Sequence, residues 1–186
     1  MKALKLSLLA GAFAMIAGSV AQAADATPPV TADEYAALGF YLRADAGWSF
    51  LNWNGGRDDS NWAIGGGAGY RFNDNLRTDL RVDYSGKYSI APGSDMSLTT
   101  VLGNMYFDIP TGTAFTPYLG AGAGYGWGSV KNGSDKNGFT YALMAGATVD
   151  LTQNVALDVG YRFREVMAKG SDPMDHSILA GVQFKF

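Results

Sequence analysis

The chain contains no cysteine and one histidine, His176. Without thiols there is no disulfide framework, no lipid-modified N-terminal cysteine and no thiolate metal centre. Positive charge is also short: 14 Lys and Arg against 17 Asp and Glu leave a formal charge of −3. That balance excludes the basic footprint of a nucleic-acid binder. Beyond residue 23 no apolar run reaches the roughly 20 residues that a spanning helix requires. A chain lacking such a helix is either a secreted soluble protein or a spanning barrel, because only helices and closed barrels satisfy the backbone inside lipid.

Glycine and aromatic residues, by contrast, are abundant. The 25 glycines follow no three-residue period and proline is scarce after Pro29, so neither collagen nor a disordered chain is indicated. Many short strands joined by turns suit this mixture. One apolar run stands apart: Leu6 to Ala17 follows Lys2 and Lys5 and precedes Ala21-Gln22-Ala23. Basic start, short apolar core and small residues before the cut predict a cleaved signal peptide over 1–23. A mature chain from Ala24 carries a formal charge of −5, since Lys2 and Lys5 are lost, and is one domain long. In segment 24–39, Pro28-Pro29 interrupts regular structure and Thr31 to Glu34 fits a capping box, predicting an N-terminal tail with a short helical turn.

From residue 40 to 186 the hydropathy alternates with period two in eight successive segments, as strands with one apolar face do. In the clearest, Leu76, Thr78, Leu80, Val82 and Tyr84 oppose Arg77, Asp79, Arg81, Asp83 and Ser85. In the last, Ile178, Ala180, Val182, Phe184 and Phe186 oppose Leu179, Gly181, Gln183 and Lys185. Short turns at Asn73-Asp74-Asn75, Pro110 to Thr116 and Thr152-Gln153-Asn154 alternate with longer polar stretches. Those stretches are Leu51 to Asn61, Gly86 to Met96, Ser129 to Gly138 and Ala168 to Asp175. Short turns on one side and longer loops on the other are the pattern of outer-membrane barrels.

A soluble barrel would turn its apolar face inward. Here the apolar set carries Trp48, Trp62, Tyr70, Phe72, Tyr84, Phe107, Tyr125, Trp127, Tyr161, Phe163 and Phe184, mostly near strand ends, as two interfacial girdles would. The opposite set includes the row Gly120, Gly122, Gly124, Gly126 and Gly128. Exposed to water, such a row weakens a strand for no gain; inside a narrow lumen it leaves room for arginines from other strands. The fold class is therefore all-β, an eight-stranded antiparallel up-and-down transmembrane β-barrel.

These features resemble a known family. The signal peptide, eight girdled strands, Thr116-Pro117-Tyr118-Leu119-Gly120-Ala121-Gly122, Tyr41-Leu42-Arg43-Ala44-Asp45-Ala46-Gly47 and terminal Phe186 are similar to small OmpA-like outer-membrane barrels. The likeness is nearest to alphaproteobacterial surface antigens and porin-like proteins. It implies residence in the outer membrane of a Gram-negative bacterium, with both termini periplasmic. It further implies that Phe186 is the signal read by the barrel-assembly machinery, with periplasmic chaperones as earlier partners. A C-terminal peptidoglycan-binding domain is lacking, so no cell-wall tether is implied. Lipid and lipopolysaccharide are the other expected partners, and the protein is expected to be a monomer.

The inward set holds the cations Arg43, Arg71, Arg77, Arg81, Arg162, Arg164 and Lys185 and the anions Asp45, Asp79, Asp83, Asp108, Asp150 and Asp158. Seven against six suits a salt-bridged plug; an ion filter would carry a ring of one sign. The glycine rows keep a small diffusion channel open as an alternative, and adhesion or haem binding by the loops as another. Catalysis is not expected: His176 is read as a solvated loop residue, and Asp175, His176 and Ser177 are adjacent, so they cannot converge as a relay. Neither Asp58-Asp59-Ser60 nor Asp172-Pro173-Met174-Asp175 has the spacing of a calcium loop, and no metal or cofactor is expected.

Overall fold

The computed structural model describes residues 39–52, 59–131, 135–167 and 173–186, all within one unit of the chain, Thr31–Phe186. The expected signal peptide and nearly all of the tail lie outside them, as do Trp53, Asp58 and Asp172. Eight strands follow in order: β1 Gly39–Asn52, β2 Asp59–Arg71, β3 Leu76–Ala91, β4 Ser94–Asp108, β5 Phe115–Val130, β6 Lys136–Asp150, β7 Val155–Met167 and β8 Met174–Lys185. Each pairs antiparallel with its sequence neighbour, and β8 returns to β1 to close the barrel. The closing register runs from Tyr41 opposite Lys185 to Asn52 opposite Met174. Beyond it the Phe186 amide donates to the Phe40 carbonyl at 3.0 Å.

The strands alternate as the hydropathy does. Residues such as Leu42, Trp48, Leu80, Val82, Met105, Leu119 and Leu143 point outward and are exposed, Leu80 to 61%. Their neighbours in sequence, among them Arg43, Arg77, Arg81, Asp83 and Arg164, point inward and are buried. No soluble protein turns its leucines out and its arginines in; lipid is the medium that makes this order stable.

Three tight turns lie at one end, together with the C-terminus. Asn73 Oδ1 accepts the amides of Asn75 and Leu76 at 2.9 and 2.8 Å, and Thr152 Oγ1 accepts those of Asn154 and Val155 at 3.2 and 3.0 Å. These side chains take backbone donors that the ladder leaves free, which is why such residues favour turns.

The other end departs from the sequence reading. The four stretches read as long loops are partly strand. Gly86 to Met96 is a β3–β4 hairpin that turns at Pro92-Gly93, where Gly93 adopts φ +77°. A register shift between Ser85 and Tyr88 breaks the alternation, so both side chains are buried although three positions apart. Likewise β8 begins at Met174, which puts Asp175 in the strand.

Candidate functional site in the barrel lumen

The inward face of β1 lays Arg43 and Asp45 one above the other, and the same alternation on β3 stacks Arg77, Asp79, Arg81 and Asp83. Side chains from eight strands therefore converge on one axis. Near the turn end, Asp108 receives Arg71 at 2.7 Å and Arg77 at 2.9 Å, while Lys185 pairs with Asp150. Above them Arg43 reaches Asp45, Asp79 and Asp158 at 3.3, 3.4 and 3.3 Å. In the middle, Arg81 bridges Asp45 at 2.6 Å and Asp83 at 2.7 Å, and Arg162 meets Asp83 at 2.7 Å. Arg164 joins Asp175 at 2.9 Å. All thirteen charged residues named from the sequence thus sit in ion pairs, and Asp175 is an additional member.

Asp175 makes seven anions against seven cations. One oxygen accepts Arg164 Nε at 3.2 Å, Arg164 Nη2 at 2.9 Å and the Ser177 hydroxyl at 2.7 Å. The other accepts the Tyr88 hydroxyl at 3.1 Å and that of Ser49. Both oxygens of this buried carboxylate are thus satisfied by donors. The signal for it was its parity with Ser177, Gln183 and Lys185, hidden by placing the strand start after it.

His176 is no solvated loop residue. It lies in β8 on the outer face, where its Nδ1 shares a 2.5 Å hydrogen bond with the Tyr161 hydroxyl and its ring lies 5.2 Å from that of Phe163. Asp175 and Ser177 point inward and are hydrogen-bonded to one another. The three residues therefore divide between two faces, and no relay forms.

Aromatic side chains also enter the lumen. The Arg77 guanidinium lies 4.2 Å from the ring of Tyr106, 4.8 Å from Tyr118 and 5.9 Å from Tyr41. Its two terminal nitrogens make no ion pair among the described residues, and the ring faces surround them as a cation–π cage. The glycines explain how these rings fit. A Cβ on Gly69 would lie 2.4 Å from Tyr41, on Gly120 2.6 Å from Tyr106, and on Gly160 2.4 Å from the Tyr118 hydroxyl. Glycine rows were expected to accommodate arginines; they accommodate chiefly tyrosines, with Arg81 against Gly65 and Gly67. Toward the loop end the lumen turns apolar, with Leu51, Tyr88 and Met96 packed together and fully enclosed.

The outward aromatics fall in two bands. Near the loop end are Trp48, Trp62, Tyr84, Tyr125, Trp127, Tyr161 and Phe163; near the turn end are Tyr70, Phe72, Phe107 and Phe184. Neighbouring rings touch within each band: Trp62 with Tyr84 at 5.5 Å, Tyr125 with Trp127 at 5.0 Å and Tyr70 with Phe72 at 5.1 Å.

The family model described as outer membrane protein beta-barrel domain matches residues 10–186. The chain belongs to that family. It is an outer-membrane β-barrel. A Brucella abortus protein of uncharacterised function is 32% identical over 212 aligned positions, covering 77% of this chain and 75% of its own. Outer membrane protein PagN of Salmonella typhimurium is 26% identical, covering 57% of this chain and 59% of its own. Among solved structures, Neisserial surface protein A is similar with a TM-score of 0.71 and 30% identity, over 80% of this chain and 97% of that one.

Proposed function

We propose that the barrel is a structural and surface-antigen component of the outer membrane, with a closed lumen and no enzymatic activity. One observation carries this reading. Strands β3 and β7 stand on opposite sides of an eight-stranded cylinder, yet their side chains meet across it. Arg162 reaches Asp83 at 2.7 Å, and Arg164 donates to the Ser85 hydroxyl at 2.7 Å. Contacts spanning the full diameter divide the lumen at that level, which supports a closed interior. An eight-stranded barrel is only wide enough for its own side chains, and balanced charges disfavour a selective filter.

In this reading the apolar belt docks in lipid, the two aromatic bands set its depth, and the paired lumen keeps the cylinder rigid. The turn end and both termini face the periplasm, and the hairpin end faces outward. Chaperones and the assembly machinery deliver the chain after its signal peptide is removed, and it works as a monomer. Planar-bilayer recording tests the closed lumen: no steady conductance is expected, and reproducible channels of defined size would overturn it.

A further inference from the structure

Between the β3–β4 hairpin and the end of β5 an open cleft of about 360 Å³ is lined by Lys87, Asp95, Ser97, Ser129, Lys131 and Asp135. Among the described residues neither Lys87 nor Lys131 forms an ion pair. Each aspartate already gives one oxygen to the chain itself: Asp135 to the Val130 amide at 3.0 Å, Asp95 to the Ser89 hydroxyl at 3.4 Å. Among the described residues, two ammonium groups without an ion-pair partner therefore stand beside two serine hydroxyls and two carboxylates, each with a second oxygen. A simple anion would meet repulsion from the aspartates as well as attraction from the lysines. A phosphorylated sugar satisfies the whole set, its phosphate on the ammonium groups and its hydroxyls donating to the carboxylates.

Position selects the source of that sugar. Trp127 belongs to the aromatic band on the outward face; Ser129 follows it two residues along the same strand, and Lys131 stands one residue past the strand's end. The Lys131 amide continues the ladder by donating to the Asp95 carbonyl at 2.8 Å. At about 3.3 Å per residue and a tilt near 40°, the serine lies about 5 Å and the lysine about 10 Å beyond the indole. The serine falls within the polar zone of roughly 5–7 Å that flanks the hydrocarbon core on each side, and the lysine stands just beyond it, from where its long side chain can reach back to the headgroups. We propose that this cleft seats the phosphorylated sugar headgroup of an outer-leaflet glycolipid. The proposal rests on the barrel's outer-membrane placement and is independent of whether the lumen conducts.

The refolded barrel in detergent is titrated with bisphosphorylated lipid A, and bound lipid is counted by native mass spectrometry. Each lysine near an anionic headgroup is expected to contribute about fivefold in affinity. Lys87→Gln and Lys131→Gln together should therefore weaken binding about twenty- to thirtyfold, with the folded-band mobility unchanged. As a check that needs no variant, fully dephosphorylated lipid A should bind the unaltered barrel as weakly as the double variant binds the phosphorylated form. Affinity within twofold for the double variant, or equal binding of dephosphorylated lipid A, would overturn the proposal. Displacement of the lipid by millimolar glucosamine 6-phosphate or inorganic phosphate would overturn it too, by making the ligand a soluble phosphate.

Discussion

Removing the Asp175 carboxylate is the sharpest probe of the lumen. Asp175→Ala deletes an acceptor that serves Arg164 twice and the hydroxyls of Ser177, Tyr88 and Ser49. Arg164 stays fully buried, keeping only Ser85 at 2.7 Å and Thr100 at 2.9 Å as neutral acceptors. Breaking one side of a buried ion pair costs about 3–5 kcal/mol. The three orphaned hydroxyls would add about 1–3 kcal/mol each if none found a new partner. Ser177 already lies 3.2 Å from Ser49, however, so those two can satisfy one another. A net loss of about 4 kcal/mol is expected. Urea unfolding of the barrel refolded in phosphatidylcholine vesicles, followed by tryptophan fluorescence, measures it, and loss of the compact band on unheated gels gives an independent readout. Asp175→Asn keeps the shape and one acceptor, so it should fall between the alanine variant and wild type. Pairing Asp175→Ala with Arg164→Met removes both charges and should recover at least 1 kcal/mol relative to Asp175→Ala alone. A loss below 1 kcal/mol for Asp175→Ala, with no recovery in the double variant, would refute the view that the lumen network holds the barrel together.

Three further outcomes are expected. Gly160→Ala places a methyl 2.4 Å from the Tyr118 hydroxyl, an overpacking cost of about 1–3 kcal/mol; adding Tyr118→Phe removes that oxygen, so the double variant should be more stable in urea than the sum of the singles. Leu80→Arg, at an exposed outward position between the two aromatic bands, should cost about 2–4 kcal/mol in vesicles, and a neutral result would place this face in water instead of lipid. Deleting Phe186, whose backbone amide meets Phe40 at 3.0 Å, should lower the fraction inserted in cells while leaving refolding into detergent intact; normal insertion in cells would leave Phe186 as a girdle residue only.

Period-two alternation made the barrel legible because each strand separates two media that demand opposite side chains. Leu80 beside Arg81 has a single stable orientation when lipid lies on one side and ion-pair partners on the other. The signal weakened where that contrast weakens. At the loop end the lumen is lined by Leu51, Tyr88 and Met96, so inward and outward residues are both apolar or both polar and the strand resembles a loop. The shift between Ser85 and Tyr88 then moves the parity, and the hairpin to Ala91 vanishes from any fixed-period reading. Asp175 was lost similarly: standing after Pro173 and among polar residues, it resembles a turn. The tyrosines were visible as inward residues, but their partnership with Gly69, Gly120 and Gly160 joins different strands and depends on register, which alternation alone does not determine.

The pattern of ion pairs explains why a balanced interior and a closed one go together. Neighbouring strands are already joined by the backbone ladder, so a salt bridge between them adds little shape. Most of these pairs skip a strand or more: Arg71 to Asp108 links β2 with β4, Arg43 to Asp158 links β1 with β7, and Arg162 to Asp83 links β7 with β3. Ties of this kind resist flattening of the cylinder, a deformation that the ladder alone permits. They also require each charge to be desolvated, which is tolerable only with opposite charges and further donors at hand. Asn104 and Gln183 supply such donors, to Asp79 at 2.7 Å and Asp158 at 2.6 Å. A lumen widened for transport would have to break the cross-strand pairs first and leave buried arginines without partners. The same contacts that make the barrel rigid therefore argue against conduction.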